Sequence, residues 1–193
     1  MPDFHGKFFT FEGLDGSGKT TQLEHLAQRL EAAGRTVVRA QEPGGTRVGR
    51  EIRQILLDAR STDLRAVPEL LLYFASRAQN VEEVILPALE AGHIVLSDRF
   101  TDSSTAYQGC ARSLGVDVVA TLDRIACGGL RPDLTFLIDL DPETGLRRAD
   151  ETRFERESLA FHRREPGRVL LIDGRRAPDE IARDIWSRVQ PYV

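Results

Sequence analysis

The stretch Gly13-Leu14-Asp15-Gly16-Ser17-Gly18-Lys19-Thr20, with Thr21 behind it, decides the fold. It matches G-x-x-x-x-G-K-[ST] and lies between an aromatic-rich apolar run, "KFFTFEG" from Lys7, and "TQLEHLAQRLEAAG", whose Leu23, Leu26, Ala27 and Leu30 recur at helical spacing before Gly34. Strand, glycine loop and helix in that order give the spacing its physical meaning. Glycines let the backbone come close to a ligand, and successive amides with the helix N-terminus make a concavity suited to phosphates. Gly13, Leu14, Asp15, Gly16, Ser17, Gly18, Lys19, Thr20 and Thr21 are thus the candidate set for ATP, with Lys19 reaching the transferred group and the Thr20 hydroxyl joining a Mg²⁺. The bland alternative is a glycine-rich helix cap without a ligand. As an exposed loop side chain, Lys19 should carry little stability. Asp15 needs explaining, because it sets an acid in a turn whose backbone must face a polyanion.

The chain has 193 residues, 41% of them hydrophobic, and residues 1–193 are expected to form a single domain. Acids outnumber bases by 30 to 26, so no broad basic face for a nucleic acid polymer or a membrane is expected, and any basic site must be local. Cys110 and Cys127 lie outside any Cys-x-x-Cys spacing, which argues against a zinc site or disulfide scaffold and for buried reduced thiols. "MPDFHGKFF" has no basic segment followed by a long apolar run, and no other stretch approaches membrane-spanning length; a cytoplasmic protein is expected. Lys7 and Lys19 are the only lysines, so the chain cannot contain the Asn-Lys-x-Asp segment with which GTPases read guanine.

Further along, "TVVRAQ" reads as a strand and "REIRQILLDA" as a helix with Ile52, Ile55 and Leu56 on one face. "PELLLYFASRAQNVEEVILPALEAG" reads as a long helical region opened by Pro68, kinked by Pro87 and ended by Gly92. The strand "IVLSD", a Ser/Thr-rich turn, a helix over "DVVATLDRIA", the strand "LTFLIDL" and a helix opening at "DPETGLRR" follow. After an Arg/Glu-rich stretch come the strand "RVLLID" and the helix "PDEIARDIWSRV". Apolar strands alternating with helices predict an α/β phosphate-loop NTPase fold, a parallel sheet of about five strands covered on both faces.

Asp98 and Arg99 follow a strand directly, at the carboxyl edge of the sheet where such folds bind ligands. The arginine offers a fork for a phosphate; the acid can orient Mg²⁺ or hold the arginine. Together with "EPGGT", "YFASRAQ", "SSTAYQG" and "RRADETRFERE", these motifs resemble the bacterial thymidylate kinase family, in family order, from the N-terminus to about Arg163 and again from Glu165.

The resemblance implies transfer of the terminal phosphoryl of Mg·ATP to dTMP by a homodimer. It implies that Asp15 contacts the acceptor's 3′-hydroxyl, that Tyr73 stacks on the base, and that Arg77, on the same helical face, bonds a base carbonyl. Ser104 and Gln108 would approach the base, Tyr107 would stand against the sugar, and Glu42, Pro43 and Arg53 would shape the acceptor site. Gln41 replaces the arginine often found before that glutamate. Lys19, Arg99, Asp98 and a lid arginine, Arg153 or one of Arg147, Arg148 and Arg156, would serve the transfer, within a lid at about 147–157; Thr20 and Asp98 would hold the metal.

Two departures stand out. The lid is about four residues shorter than usual, and roughly ten residues that the family has between Arg163 and Glu165 are missing. Either the protein is trimmed at both places or the sequence as it stands lacks residues there; mobile lids are where order is lost, which favours the second. A kinase of another nucleotide or deoxynucleoside on the same fold, and a regulatory ATPase, are the alternative readings.

Overall fold

Successive strand residues point to opposite faces, and β1 (Lys7–Gly13) uses both. Phe9 and Phe11 face one layer, packed with Leu23, Leu26, Ala27 and Leu30 of α1 (Lys19–Ala32) and with Ile181, Ile185 and Val189 of the C-terminal helix. Phe8 faces the other, packed with Val81, Ile85, Leu89 and Cys127. Thr10 and Glu12 share the face of Phe8, so a buried polar file continues an apolar one toward the end of the strand.

The computed structural model describes residues 4–58, 60–61, 63–111, 114–140, 159–160 and 162–193, with Cys110 and Ala111 described in backbone alone. β2 (Val37–Gln41), β3 (Ile94–Asp98), β4 (Leu134–Asp139) and β5 (Val169–Asp173) join β1 in one sheet of order β2-β3-β1-β4-β5. Every pairing is parallel, as the continuous apolar runs predict. Among the described residues the helices include α1, α2 (Arg47–Leu57), α3 (Ala66–Asn80), α4 (Leu86–Glu90), α5 (Thr101–Ser104), α6 (Val116–Cys127) and α7 (Pro178–Val189), and residues 159–160 and 162–164 are also helical. Among the described residues no helix is long and apolar enough to cross a membrane.

The predicted kink at Pro87 takes a specific form: α3 runs into a π-helical turn, Val81–Ile85, before α4. Proline has no N–H and crowds the carbonyl four residues back, and a widened turn relieves both. The Ser/Thr-rich "turn" is a correction. It is helical, with α5 passing into a π-helical segment, Thr105–Ala111. Its first amides are satisfied by Glu12 at the end of β1, 88 residues away at Phe100, a partner that no local pattern shows. The helix predicted around Ile52, Ile55 and Leu56 forms as α2, which packs on α3; Ile52 and Leu56 are half-buried and Ile55 is 48% exposed. Cys127 is a buried free thiol, as expected, and burial pushes its pKa far up. The side chain of Cys110, the helix expected at "DPETGLRR" and the lid arginines lie outside the described residues.

Candidate active site

Gly13 ends β1 at φ 142°, and a Cβ there would lie 2.4 Å from the carbonyl oxygen of Ile138, so only glycine fits where the loop leaves the sheet. Gly18, at φ 92°, is the N-cap of α1; among the described residues no side chain caps this end, and its first turn holds no acid. The first amides of α1 are therefore left for an anion. Lys19 is not the exposed side chain expected. It is 6% exposed, its Nζ donating to the carbonyls of Gly13 at 3.0 Å and Leu14 at 2.6 Å. Burial, aided by the like charge of Arg99, pulls its ammonium down to about 8. Ser17 Oγ is buried without a partner among the described residues.

Thr20 Oγ1 donates to Asp98 Oδ2 at 2.8 Å, joining the start of α1 to the end of β3. This pair of hard oxygens fits Mg²⁺, which keeps several waters and takes its other ligands from phosphates rather than from an all-protein cage. Among the described residues no cluster of three or more His, Cys, Asp or Glu could hold a metal instead.

Asp98 thus turns to Thr20, and Arg99 is held by other groups. Arg99 is a non-glycine residue at positive φ, 72°. That conformation costs on the order of 1–3 kcal/mol and persists where the surroundings over-determine it. Here the Arg99 N–H donates to Phe11 O (3.0 Å), Ser97 Oγ donates to Arg99 O (2.8 Å), and the next N–H, of Phe100, donates to Glu12 Oε1 (2.9 Å). The guanidinium lies 5.6 Å from the Tyr107 ring centroid, with Nη1 donating to Ser103 Oγ (3.0 Å) and Nη2 to Asp15 Oδ1 (2.6 Å). Lys19 Nζ is 3.9 Å from the same carboxylate. Partial desolvation beside its partners opposes the Asp15 charge, but the Arg99 guanidinium outweighs it and this largely exposed carboxyl sits below its usual range. An acid in the phosphate loop is tolerated because two cations share it.

A cleft of about 420 Å³ is lined by Asp15, Gly16, Gly18, Lys19, Thr20, Thr21, Gln41, Glu42, Arg53, Asp98 and Arg99. Arg53 Nη1 donates to Pro43 O at 2.8 Å, which ties α2 to the loop after β2. Behind the cleft, Arg77 is buried between Phe74 and Phe100, its Cζ 4.8 and 5.2 Å from their ring centroids. Its Nε bonds Glu42 and its Nη2 donates to Ser104 Oγ at 3.0 Å, while Nη1 is buried with no partner among the described residues. Burial pushes the Glu42 carboxyl up against the pull of Arg77. Gln108 Nε2 donates to Glu69 Oε1 at 3.0 Å, and Tyr73 is half-buried, its phenol pushed up by burial and then by Glu69. Sequence reasoning missed Glu12 and Ser103; the period of two along β1 puts Glu12 on the inner face beside Thr10, a signal open to use.

Strand, uncapped glycine loop and helix, with a second cationic loop at the adjacent strand end, define a phosphate-loop nucleotide kinase fold. The family model for thymidylate kinase matches residues 11–170. The chain is 47% identical to a thymidylate kinase of Pelobacter propionicus over 205 aligned positions, covering 95% of this chain and 94% of that one. It is 47% identical to one of Halothermothrix orenii, covering 96% and 97%. The crystal structure of thymidylate kinase from Ehrlichia chaffeensis superimposes with a TM-score of 0.84 at 31% identity, covering 96% of this chain and 99% of that one. The chain belongs to the thymidylate kinase family and is a phosphotransferase. The 205-position alignment exceeds the chain's 193 residues, so that relative carries residues with no counterpart here.

Replacing Arg77 by Met should destabilise the fold by about 3–5 kcal/mol near pH 8, because Glu42 is left charged and buried. Part of this loss should return near pH 5. Glu42 would have a folded pKa above its unfolded one, so its protonated form stabilises at low pH and that contribution is lost as pH rises. Urea unfolding at the two pH values measures both effects.

Proposed function

We propose that this protein moves the terminal phosphoryl group of ATP to dTMP, giving dTDP and ADP. The observation that carries the reading is the convergence of Lys19, from the phosphate loop, and Arg99, from the end of β3, on Asp15. Two phosphate-binding cations on separate loops face one gap, the arrangement that transfer between two nucleotides requires. The dTMP assignment follows the family.

The attacking group is an oxygen of the acceptor phosphate, so no enzyme nucleophile is needed. The amides at the start of α1 bind the donor phosphates and Lys19 neutralises charge on the transferred group. Thr20 and Asp98 would hold Mg²⁺, which screens charge between the donor's phosphates. Arg99 binds the acceptor phosphate, helped by Arg53. Arg153, outside the described residues, is our candidate for the lid arginine that closes the site against water. At the base, Tyr73 stacks, the Nη1 of Arg77, without a partner among the described residues, donates to a carbonyl, Ser104 and Gln108 frame the edge, and Tyr107 crowds a 2′-hydroxyl. Glu42 and Pro43 shape this pocket. Asp15 accepts from the 3′-hydroxyl once the acceptor phosphate has drawn Arg99 away from it.

We also read the protein as a homodimer. Leu57 of α2, Leu71 of α3 and Ile125 of α6 are 57%, 50% and 73% exposed. α2 packs on α3 and α3 on α6, so these apolar side chains lie on neighbouring helices.

The deciding experiment is Mg·ATP-dependent turnover with dTMP, dUMP, dCMP, UMP, thymidine and 3′-deoxy-dTMP. dTMP should lead, and preference for dTMP over the 3′-deoxy analogue should shrink in Asp15→Ala; equal turnover of all acceptors, or none, would sink the reading. Light scattering should find a dimer that Leu71→Glu with Ile125→Glu turns into a folded monomer.

Lys19 yields a pH prediction. Phosphates favour its charged form, so nucleotide binding should raise its pKa from about 8. Near pH 8 about half a proton should be taken up per Mg·ADP bound, and affinity should fall as pH rises through that range. Calorimetry in buffers of different ionisation enthalpy reads the uptake, which Lys19→Met should abolish.

A further inference from the structure

We propose that Glu12 is a positioning residue for Arg99, holding both the peptide that follows it and, through Ser103, its guanidinium. The inference rests on the kinase reading above and gives that site a control element.

Glu12 is 2% exposed on the inner face of β1. Its Oε1 accepts from the N–H of Phe100 at 2.9 Å and from that of Ser103 at 3.3 Å, and its Oε2 accepts from the Ser103 hydroxyl. The peptide joining Arg99 to Phe100 is gripped at both ends, its carbonyl by Ser97 Oγ and its N–H by Glu12. This peptide follows the one non-glycine residue at positive φ among the described residues. The Ser103 hydroxyl donates to Glu12 and accepts from Arg99 Nη1. One carboxylate therefore sets the strained backbone and one tine of the fork, leaving Nη2 for Asp15 or a ligand.

A buried acid in β1 has an apolar alternative that would pack against Phe8 and Thr10 without desolvating a charge, so packing gives no reason for it. Burial, then Asp102 of α5, raises Glu12 to about 7, and Arg99 pulls it back. Lys19 of α1 and Tyr107 also feel its charge, and Arg168 pairs with Asp102 at 2.9 Å, softening that repulsion. The ionised form accepts all three hydrogen bonds. Protonation withdraws one acceptor and loosens Arg99.

Two readouts test this. In ligand-free protein labelled with ¹⁵N-arginine, the Arg99 side-chain resonance, assigned by its loss in Arg99→Lys, should shift with a midpoint near pH 7. In Glu12→Gln the midpoint near pH 7 should vanish, leaving only the shift that Lys19 causes near pH 8. In kinetics, Glu12→Gln should raise acceptor KM and lower kcat by about 10–100-fold together, with ATP KM within about twofold of wild type. Should Glu12→Gln fail to fold, Ser103→Ala, which removes only the relay to Nη1, should show the same acceptor-selective loss at about 3–10-fold. A wild-type Arg99 resonance with no Glu12 midpoint, unchanged acceptor kinetics in a folded variant, or equal losses for both nucleotides would overturn the proposal. Wild-type protein without dTMP-dependent turnover would sink the kinase reading while the resonance still judged Glu12.

Discussion

The parallel pairing of β1 with β3, which sets Phe11 against Asp98, is the constraint on which the site depends. Both strands end on the same edge, so the phosphate loop and the Asp98–Arg99 turn leave the sheet side by side, and Thr20 meets Asp98 across the gap. A slip of one residue would send Glu12 to the α1 face and Phe11 under α5, stranding a carboxylate among leucines and removing the acceptor that satisfies Phe100 and Ser103. Phe9 and Phe11 against α1, and Phe8 against the opposite layer, hold that register by burying apolar area on both sides.

Charge in the cleft is arranged around Arg99. Glu12 holds it from beneath and Asp15 meets it from the solvent side, where the Asp15 side chain is 91% exposed. The two acids differ because their surroundings differ. Burial lifts Glu12 to about 7, whereas the exposed Asp15, beside two cations, stays below its usual range. On the proposed reading, a polyanion entering the cleft competes with Asp15, a solvated partner, and leaves Glu12 undisturbed. The fork is thereby kept aimed while its outer face stays exchangeable, which is a form of preorganisation.

What could be read from the sequence was local. The glycine spacing, the apolar runs of all five strands and the stripe on α1 depend on residues within one or two turns of each other, and each became the element predicted. What could not be read depends on distant partners. The segment after β3 looks like a turn because Ser and Thr favour turns, yet a capping carboxylate from β1 makes it helical. Lys19 looks exposed because it stands in a glycine loop, yet that loop's own carbonyls close over it. The π-turn before Pro87 differs from a simple kink only in how the chain makes room, which a proline alone does not specify. The apolar face of α2 is legible as a pattern, but a pattern does not say what covers it.

On the proposed reading, Arg77 builds specificity in before a ligand arrives. Its Nε and Nη2 are satisfied by Glu42 and Ser104, so its geometry is set from behind, and Nη1 is left buried with no partner among the described residues. The cost of stripping water from that donor has already been met in folding, by stacking between Phe74 and Phe100 and by the ion pair. A base that presents a carbonyl there gains a charge-assisted hydrogen bond at little further desolvation cost. A base that presents an amino group sets donor against donor, and Arg77 cannot turn away without breaking its bonds to Glu42 and Ser104. Discrimination between the two therefore exceeds the worth of one hydrogen bond, because the penalty for the wrong base is held in place by the same contacts that keep the pocket folded.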